Sequence, residues 1–342
     1  MKFRVGIVGC GNIFPMHAQA LVNTPGAELA AVCDIKPGRA RQAAARYHCR
    51  HYLDYQQMLR EERLQAVHIL TPHYLHPPMA IQALNKKINV LIEKPISITP
   101  ADAEKMRQAA KNNRVKLAVI FQNRYNPGSQ LVKKNILNGK IGRIKAAKLV
   151  LSYHKPDSYY RMSDWKGRLA KEGGGVLIDQ AIHFVDVLLW LINDEIDYVE
   201  AQTRRRMHKF IEVEDLAEGV IKFKKGAYIC FYLINFYSYD ADPEIEIDAH
   251  KARAKIVKDA ARIEFSDGRA LEAKPRPGEY IDYGKGRKDY WGYCHWIQIK
   301  KFYQALGEGV QPPVSPEEAI KTQKVVWNIY KSARTGKRIY FN

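Results

Sequence analysis

Short apolar runs alternate with amphipathic stretches over the first third of the chain. The runs are rich in Val, Ile, Leu and Ala, as buried parallel strands are, and cover residues 3–8, 29–33, 66–70, 89–92 and 116–120. Helical patterns lie between them at 38–47, after Asp54, at 78–85 and after Thr99-Pro100, where Asp54 and Thr99 are suitable N-caps. Strands that alternate with helices predict an α/β domain with a doubly wound parallel sheet.

The pattern changes near Gln122. Longer β-branched and aromatic runs follow at 144–153, 198–203, 216–223, 227–237 and 245–248; apolar helical patterns lie at 176–191, 296–306 and 316–332. We therefore predict a dinucleotide-type domain over residues 1–121 and an α+β domain over 122–342, built on a large, mostly antiparallel sheet. The run 227–237 is aromatic on both faces, so we expect a second copy of the chain to cover it in a homodimer or homotetramer.

Composition narrows the class of protein. The chain has 342 residues, 46% hydrophobic and 27% charged, which is the balance of a globular protein. It contains no run of about 18 apolar residues and no signal-peptide pattern at its start, so we expect no membrane span. The five cysteines are scattered and never form a CxxC pair, which predicts free thiols in the cytoplasm and no metal site.

The formal net charge is +19. A charge of this size attracts anions over a long range, and nucleic acid is one candidate. However, Lys and Arg are spread along the chain, and no helix-turn-helix or RNA-binding signature is present. We therefore predict that the charge serves an anionic cofactor or substrate and that the protein does not bind nucleic acid.

A glycine-rich turn follows the first strand, in the sequence Gly9-Cys10-Gly11-Asn12-Ile13-Phe14. Gly9 permits a tight turn, and Gly11 lets the backbone approach a pyrophosphate at the N-terminus of the next helix. Phe14 occupies the third glycine position of GxGxxG. Such a motif also fits an ordinary βα turn, so the flanking strand and helix carry the argument.

Asp34 ends the second strand, 20 residues beyond Phe14. This is close to the distance expected for a carboxylate that binds the adenosine ribose. The carboxylate would repel a 2′-phosphate, which favours NAD over NADP. Lys36 and Arg39 partly offset that repulsion, so NADP stays possible.

Glu93-Lys94-Pro95 closes the strand at 89–92. Ligands of doubly wound sheets bind beyond the carboxyl ends of the strands, so we expect Lys94 near the reactive end of the cofactor. A surface Glu–Lys pair is the alternative.

Gly173-Gly174-Gly175 precedes an apolar helix that carries Asp179 and His183. Residues four positions apart share one helix face. Two polar groups on a buried apolar stripe need partners, which are either each other or a ligand. The three glycines permit close packing or contact with a ligand, and Asp186 on the same helix is an alternative structural acid.

With these motifs, the chain resembles the Gfo/Idh/MocA oxidoreductases over nearly its whole length. The resemblance rests on Gly9-Cys10-Gly11-Asn12-Ile13 with His17, Asp34, Thr71-Pro72 with His76, Glu93-Lys94-Pro95, the triple glycine with Asp179 and His183, and His295. It implies hydride transfer between a nicotinamide and a ring carbon of a sugar or cyclic polyol. Phe14 departs from the glycine pattern, which puts the pyrophosphate geometry in question.

The resemblance also implies roles. His183 is expected to act as general base, Lys94 to stabilise the developing oxyanion and Asp179 to orient the ring; the Lys94-Pro95 peptide is expected to be cis. Cofactor contacts are expected from Gly9, Gly11, Asn12, Ile13, Asp34, Thr71, Pro72, His76, Glu93, Lys94 and Gln122. Substrate contacts are expected from Lys94, Arg124, Tyr153, Trp165, Lys166, Asp179, His183 and His295, the last being equally suited to a structural role.

Two other functions fit the same residues. An NAD-dependent glycosidase would use transient ring oxidation, and a non-catalytic sugar-binding protein would use the same fold. Because Lys94, Asp179 and His183 are all present, a dehydrogenase is favoured. The basic charge favours an anionic sugar over a neutral one.

Overall fold

The computed structural model describes residues 2–276, 278–279 and 292–341. They form two compact units. The first unit combines Met1–Gln122 with Pro277–Ile320, and the second combines Asn123–Arg276 with Lys321–Asn342. The predicted boundary lies one residue from the end of the first of these segments, but the prediction assigned residues 277–320 to the second domain.

The return of the late segment to the first unit has a clear cause in packing. Ile299, Phe302 and Tyr303 belong to the same buried apolar cluster as Val5 and Ile7 of the first strand. A helix with such an apolar face gains most by covering a core, at about 25 cal/mol for each Å² of apolar surface removed from water.

The first unit is built on a parallel sheet, as predicted, but the sheet has six strands rather than the five that were predicted. Its strands are β1 (Phe3–Val8), β2 (Ala27–Cys33), β3 (Arg50–Tyr52), β4 (Ala66–Ile69), β5 (Asn89–Ile92) and β6 (Leu117–Val119). They lie in the order β3-β2-β1-β4-β5-β6, and their neighbours pair in parallel. β3 was not predicted because two of its three residues are exposed and form no apolar run. The sheet order reverses between β1 and β4, where ligands of this architecture bind.

The helices, in chain order, are α1 (Phe14–Val22), α2 (Pro37–Tyr47), α3 (Tyr55–Glu61), α4 (His76–Asn85), α5 (Pro100–Asn113), α6 (Pro127–Leu137), α7 (Asp157–Arg161), α8 (Leu169–Glu172), α9 (Ile182–Ile192), α10 (Tyr293–Glu308) and α11 (Pro316–Thr335). Both predicted N-caps are confirmed. The Asp54 carboxylate accepts the Gln57 N–H at 2.6 Å, and the Thr99 hydroxyl accepts the Asp102 N–H at 3.2 Å.

The second unit is built on a nine-stranded sheet. Its strands are β7 (Ile144–Ser152), β8 (Ile196–Arg204), β9 (Leu216–Phe223), β10 (Tyr228–Ile234), β11 (Glu244–Ala249), β12 (Ala252–Val257), β13 (Ala260–Phe265), β14 (Ala270–Ala273) and β15 (Ile339–Tyr340). The order is β14-β13-β12-β11-β7-β10-β9-β8-β15. β7 and β10 pair in parallel, and the remaining neighbours pair antiparallel. This confirms the mostly antiparallel sheet.

β10 separates its aromatic residues by face. Ile229, Phe231 and Leu233 are buried, whereas Tyr228 and Tyr232 are 40% and 41% exposed. The strand was predicted to be aromatic on both faces, and the exposed tyrosines now define one open face.

The predicted helix at 176–191 is divided in the structure. Val176–Ala181 forms a π-helical turn, and α9 follows it without a break. By length and hydropathy alone, Leu169–Ile192 would be long enough to cross a membrane. In the described structure 78% of its apolar window is buried inside the protein, as expected of a core helix.

Candidate active site

The glycine turn after β1 has the geometry expected of a phosphate-binding loop. Gly9 has φ +95, and a Cβ there would lie 2.6 Å from the Leu70 carbonyl oxygen, so only glycine fits. A Cβ at Gly11 would meet nothing within 4 Å. The backbone therefore needs Gly9 for its own fold, whereas Gly11 leaves open space beside the turn.

Asp34 ties the glycine turn to the end of β2. Its carboxylate accepts the Cys10 N–H and the Lys36 N–H, each at 2.8 Å, and the residue is buried. The predicted ribose ligand thus also holds the turn in place.

Phe14 fills the third glycine position without occupying the open side of the turn. Its ring is buried in the core of the first unit and packs edge-on against Tyr47 at 5.6 Å. The departure from glycine is therefore absorbed by helix packing. The sequence alone left this question open.

Two predicted cofactor residues carry buried polar atoms that the described part of the chain leaves without a hydrogen-bond partner. They are Thr71 Oγ1, just after β4, and Gln122 Oε1, which lies beyond β6. A buried polar atom without a partner costs about 1–3 kcal/mol, so such atoms commonly face a ligand. Together with the space at Gly11, they fit a dinucleotide in the first unit. Pro72, Asn12 and Ile13 lie in the same loops.

His76 has a structural role that the prediction did not anticipate. Its Nδ1 bonds the Pro95 carbonyl at 2.8 Å and its Nε2 bonds the Thr71 carbonyl at 2.9 Å. The ring is fully buried, and burial lowers its pKa. Because both nitrogens are engaged, His76 fixes two loops and does not offer a ring nitrogen to the cofactor. The Lys94-Pro95 peptide is cis, as predicted, and Lys94 is half-buried.

Glu93 anchors a buried chain of histidines. Its carboxylate bonds His17 Nε2 at 2.9 Å, His17 Nδ1 meets His68 Nδ1 at 2.9 Å, and His68 Nε2 meets the Tyr303 hydroxyl at 2.8 Å. Burial by itself raises the pKa of Glu93, but the hydrogen bond and charge of His17, with the charges of His295 and Lys94, lower it to about 2. Glu93 was predicted as a cofactor contact; its carboxylate instead faces the protein interior.

His295 belongs to the same interior cluster. Its Nε2 lies 3.8 Å from the Glu93 carboxylate, its ring is 6.0 Å from that of His17, and the residue is 2% exposed. Burial lowers its pKa to about 4, so the imidazole is neutral near pH 7. This placement favours the structural role over the predicted substrate contact.

In the second unit, three donors converge on one oxygen of Asp179. The Tyr159 hydroxyl, the Lys166 ammonium and the Gln180 amide donate to Oδ2 at 2.6, 2.7 and 2.5 Å. Charge-assisted bonds of this kind are the strongest in proteins and fix the carboxylate in one position. His183 follows in the first turn of α9 and is partly exposed. Tyr159 and Gln180 were not predicted, since neither stands in a recognisable motif.

The triple glycine packs closely rather than leaving space. A Cβ at Gly174 would lie 2.0 Å from the Tyr330 hydroxyl, and one at Gly175 would lie 1.8 Å from the Glu214 carbonyl oxygen. The Glu214 carboxylate accepts the N–H groups of Gly175 and Leu177 at 2.8 and 3.0 Å. Burial raises the pKa of Glu214 to about 6. Glu214, which the sequence did not reveal, thus positions the turn that carries Asp179.

Lys166 and Trp165 lie together beside Asp179. The Lys166 ammonium is 4.3 Å from the Trp165 ring centre, 4.6 Å from that of Tyr159 and 3.7 Å from Glu172 Oε1. Burial raises the pKa of Glu172 to about 8. Tyr153, at the end of β7, is buried.

The structure corrects the predicted role of Arg124. It was predicted to bind substrate, but its guanidinium forms a buried, two-pronged ion pair with Asp186 at 2.7 and 2.8 Å. The Thr322 hydroxyl donates to the same carboxylate at 2.8 Å. Because removal of Arg124 would leave the charge of Asp186 buried and uncompensated, Arg124 has a structural role in the core. Asp186 is therefore the structural acid of α9. Among the described residues, no group of three His, Cys, Asp or Glu side chains is arranged to hold a metal ion.

Comparison with known proteins agrees with this geometry. Residues 3–121 match the model of an oxidoreductase family with an NAD-binding Rossmann fold, and residues 129–255 match the GFO/IDH/MocA C-terminal domain. The fold, the glycine turn and the family models thus define an oxidoreductase with an NAD-binding Rossmann domain. More narrowly, the chain belongs to the Gfo/Idh/MocA family.

Similar proteins match about two thirds of the chain or more. Inositol 2-dehydrogenase of Salmonella paratyphi B is 27% identical, over 98% of this chain and 93% of the relative. Glucose-6-phosphate 3-dehydrogenase of Bacillus subtilis is 27% identical over 66% of each chain. The WlbA dehydrogenase from Bordetella pertussis, solved with NADH and UDP-GlcNAcA, is 28% identical, with a TM-score of 0.85 and coverage of 100% of this chain and 99% of that one.

Proposed function

We propose that this protein oxidises a ring carbinol of a sugar or cyclic polyol, with Lys94, Asp179 and His183 as its catalytic residues. The observation that carries the proposal is the fixed carboxylate of Asp179, held by three donors one helical turn before His183. A carboxylate held in this way is suited to orient a sugar hydroxyl through its remaining acceptor capacity.

Oxidation of a secondary alcohol removes a hydroxyl proton and a hydride from one carbon. His183 accepts the proton on its imidazole, since this side chain exchanges protons near neutral pH. Lys94 donates to the substrate oxygen as negative charge develops there. NAD, when bound, accepts the hydride. In the reverse direction, His183 returns the proton.

We assign NAD binding to the loops that follow the parallel strands of the first unit. The amides of Gly11, Asn12 and Ile13 hold the pyrophosphate, and Asp34 bonds the adenosine ribose. Thr71 and Gln122 supply the polar atoms that lack a partner among the described residues. Asp34 favours NAD, while Lys36 and Arg39 leave NADP possible.

On the substrate side, we assign Tyr153, Trp165 and Lys166 to the sugar. Relatives include enzymes named for neutral inositol and for a sugar phosphate, and one solved with UDP-GlcNAcA. The net charge of +19 supports an anionic member of this set. We also propose a cytoplasmic homodimer or homotetramer, supported by five free cysteines and by the open tyrosine face of β10.

The test follows NADH formation with NAD or NADP and a panel of inositols, free sugars, sugar phosphates, glycosides and nucleotide sugars. The purified protein is compared with Lys94→Met and His183→Asn. Lys86→Met, which removes an exposed lysine at the end of α4, is the matched control. We expect both active-site variants to lose about 100-fold or more in kcat/KM, because each removes a transition-state contact.

Two results would count against the proposal. Full activity in Lys94→Met and His183→Asn would remove them from the chemistry. Release of an aglycone without net NADH formation would indicate a glycosidase that oxidises its substrate only transiently.

A further inference from the structure

Lys155 is a mostly buried cation beside the candidate sugar site. It follows β7, and its side chain is 15% exposed. Its ammonium lies 5.3 Å from the ring centre of Tyr153 and 5.4 Å from that of Tyr159. Burial is the main cause that lowers its pKa. Holding a lysine in such a position is unfavourable unless an anion accompanies it.

The carboxylate that pairs with Lys155 is a weak partner. Asp240 Oδ1 lies 4.0 Å from the ammonium, and the Asp240 side chain is 44% exposed. The same oxygen accepts the His154 N–H at 3.0 Å. Water screens a pair of this kind, so it contributes little to the stability of the buried ammonium.

Lys166 brings a second ammonium to the same tyrosine. Both lysines lie beside the Tyr159 ring, and the charge of Lys166 is one of the causes that lower the pKa of Lys155. Lys166 shares its charge between Asp179 at 2.7 Å and Glu172 at 3.7 Å. Because burial raises the pKa of Glu172 to about 8, this acid is largely protonated near pH 7. The surroundings of Asp179 therefore include two ammonium groups, those of Lys155 and Lys166.

We propose that Lys155, together with Lys166, binds the carboxylate of an acidic sugar, so that the substrate class is a uronate-type sugar rather than a neutral one. The inference rests on the proposed function and narrows its substrate. Lys155 then acts as a specificity residue: its ammonium pairs with the sugar carboxylate while Asp179 orients a ring hydroxyl. The alternative role of Lys155 is structural, through cation–π contacts with Tyr153 and Tyr159. Loss of these contacts would affect the binding of neutral and acidic sugars equally.

The experiment compares sugars that differ only in a carboxylate. D-glucuronate is paired with D-glucose and UDP-glucuronate with UDP-glucose, which separates a free from a nucleotide-linked source; glucose 6-phosphate tests a phosphate. Calorimetry measures binding to the NADH-loaded protein, and NADH formation measures kcat/KM. Lys155→Met is compared with Lys155→Arg. The control is Lys133→Met, since Lys133 also lies on an aromatic ring, at 4.9 Å from Trp190.

We expect at least one acidic member to exceed its neutral partner by about 10-fold or more in affinity. Lys155→Met should remove this preference for the acidic sugar and change the affinity for neutral sugars less than about threefold. Lys155→Arg should keep most of the preference. Lys133→Met should leave it unchanged. Equal losses for neutral and acidic sugars would overturn the inference, as would a preference confined to the phosphate.

The proposed function and this inference fail separately. Oxidation of neutral sugars alone would uphold the dehydrogenase and refute the carboxylate site. Lys155-dependent binding of a uronate without NADH formation would uphold the carboxylate site and refute the dehydrogenase. If the protein neither bound nor turned over any acidic sugar, the inference would be refuted.

Discussion

Buried acids of this protein titrate in opposite directions because their neighbours differ. Glu93 faces histidines and a lysine, and its pKa falls to about 2. Lys166 at 3.7 Å and the Gly167 N–H both lower the pKa of Glu172, but burial outweighs them and raises it to about 8. Environment rather than residue type thus sets the charge of each carboxyl.

Glu172→Gln should change how stability depends on pH. In the unfolded chain Glu172 loses its proton near pH 4.5, whereas the folded protein keeps it until about pH 8. The wild-type protein therefore loses stability from this group as pH rises through that window. Relative to wild type, Glu172→Gln should gain on the order of 2 kcal/mol or more in free energy of unfolding as pH rises from about 5 to about 9.

Urea unfolding at several pH values measures this difference. Glu308→Gln, an exposed substitution at the end of α10, is the matched control and should follow the wild-type curve. A Glu172→Gln curve parallel to wild type would show that Glu172 ionises normally.

At the residue scale, the sequence indicated candidate site residues but not the side chains that contact them. Asp179 and His183 were identified from their spacing on an apolar helix. Two of the groups that hold Asp179 have no sequence signature: Tyr159 lies in α7, and Gln180 is the next residue after Asp179. Arg124 was assigned to substrate because it stands at the start of the second predicted domain, and its burial against Asp186 depends on tertiary packing.

At the scale of elements, glycines that look alike in sequence serve different ends. Gly11 stands in open space, whereas Gly175 contacts the Glu214 carbonyl. The Gly11 turn leaves space for a ligand, whereas the Gly175 turn packs closely against the protein.

Gly11→Ala and Gly175→Ala should therefore separate binding from folding. Gly11→Ala should leave the melting temperature within about 2 °C of wild type and weaken NADH binding about 10-fold or more, since the added methyl group occupies the space beside the turn. Gly175→Ala should destabilise the protein by about 3 kcal/mol or more, because the backbone of Glu214 must move.

Thermal unfolding and NADH titration of both variants give the two readouts. Gly38→Ala, in α2, is the control, since a Cβ there meets nothing within 4 Å. A stable Gly175→Ala protein, or a Gly11→Ala protein with unchanged NADH affinity, would contradict this assignment.

Strands with continuous apolar patterns were predicted well. β1, β5 and β9 begin and end at the predicted residues, because apolar runs bounded by turns mark buried strands. β3 and β14 are short and mostly exposed, so neither shows that pattern. The π-helical turn before α9 depends on Glu214 and Tyr330, which lie far away in sequence.

At the scale of the whole molecule, one face of β10 is left exposed by the described residues. Tyr228 and Tyr232 project from it; on β7 they lie opposite Ala146 and Val150, and on β9 opposite Lys222 and Glu218. Isolated exposed tyrosines are ordinary, but a row on a sheet marks a surface suited to another copy.

Tyr232→Lys should reduce the oligomeric mass. We expect wild-type protein to be a dimer or tetramer by light scattering, and the variant to shift to a smaller species because a charge must be buried at the interface. Tyr239→Lys, at a tyrosine that is 59% exposed beyond the strand, should leave the mass unchanged. A monomeric wild type would end this proposal.

The extent of the first unit could not be predicted from sequence. Hydrophobic periodicity identifies α10 as a helix but does not tell which core its apolar face covers. The parallel sheet and the glycine turn were nevertheless predictable, because both rest on local patterns.

The hydrogen bond between His68 and Tyr303 joins residues 235 positions apart. During synthesis, β1–β6 leave the ribosome long before α10, and the whole sheet of the second unit except β15 emerges between them. At roughly 5–20 residues per second, the early strands wait on the order of ten seconds or more for their last core helix. During this time part of the apolar surface of the nascent sheet, and its buried histidines, must remain uncovered. We expect chaperone binding to matter most in this interval.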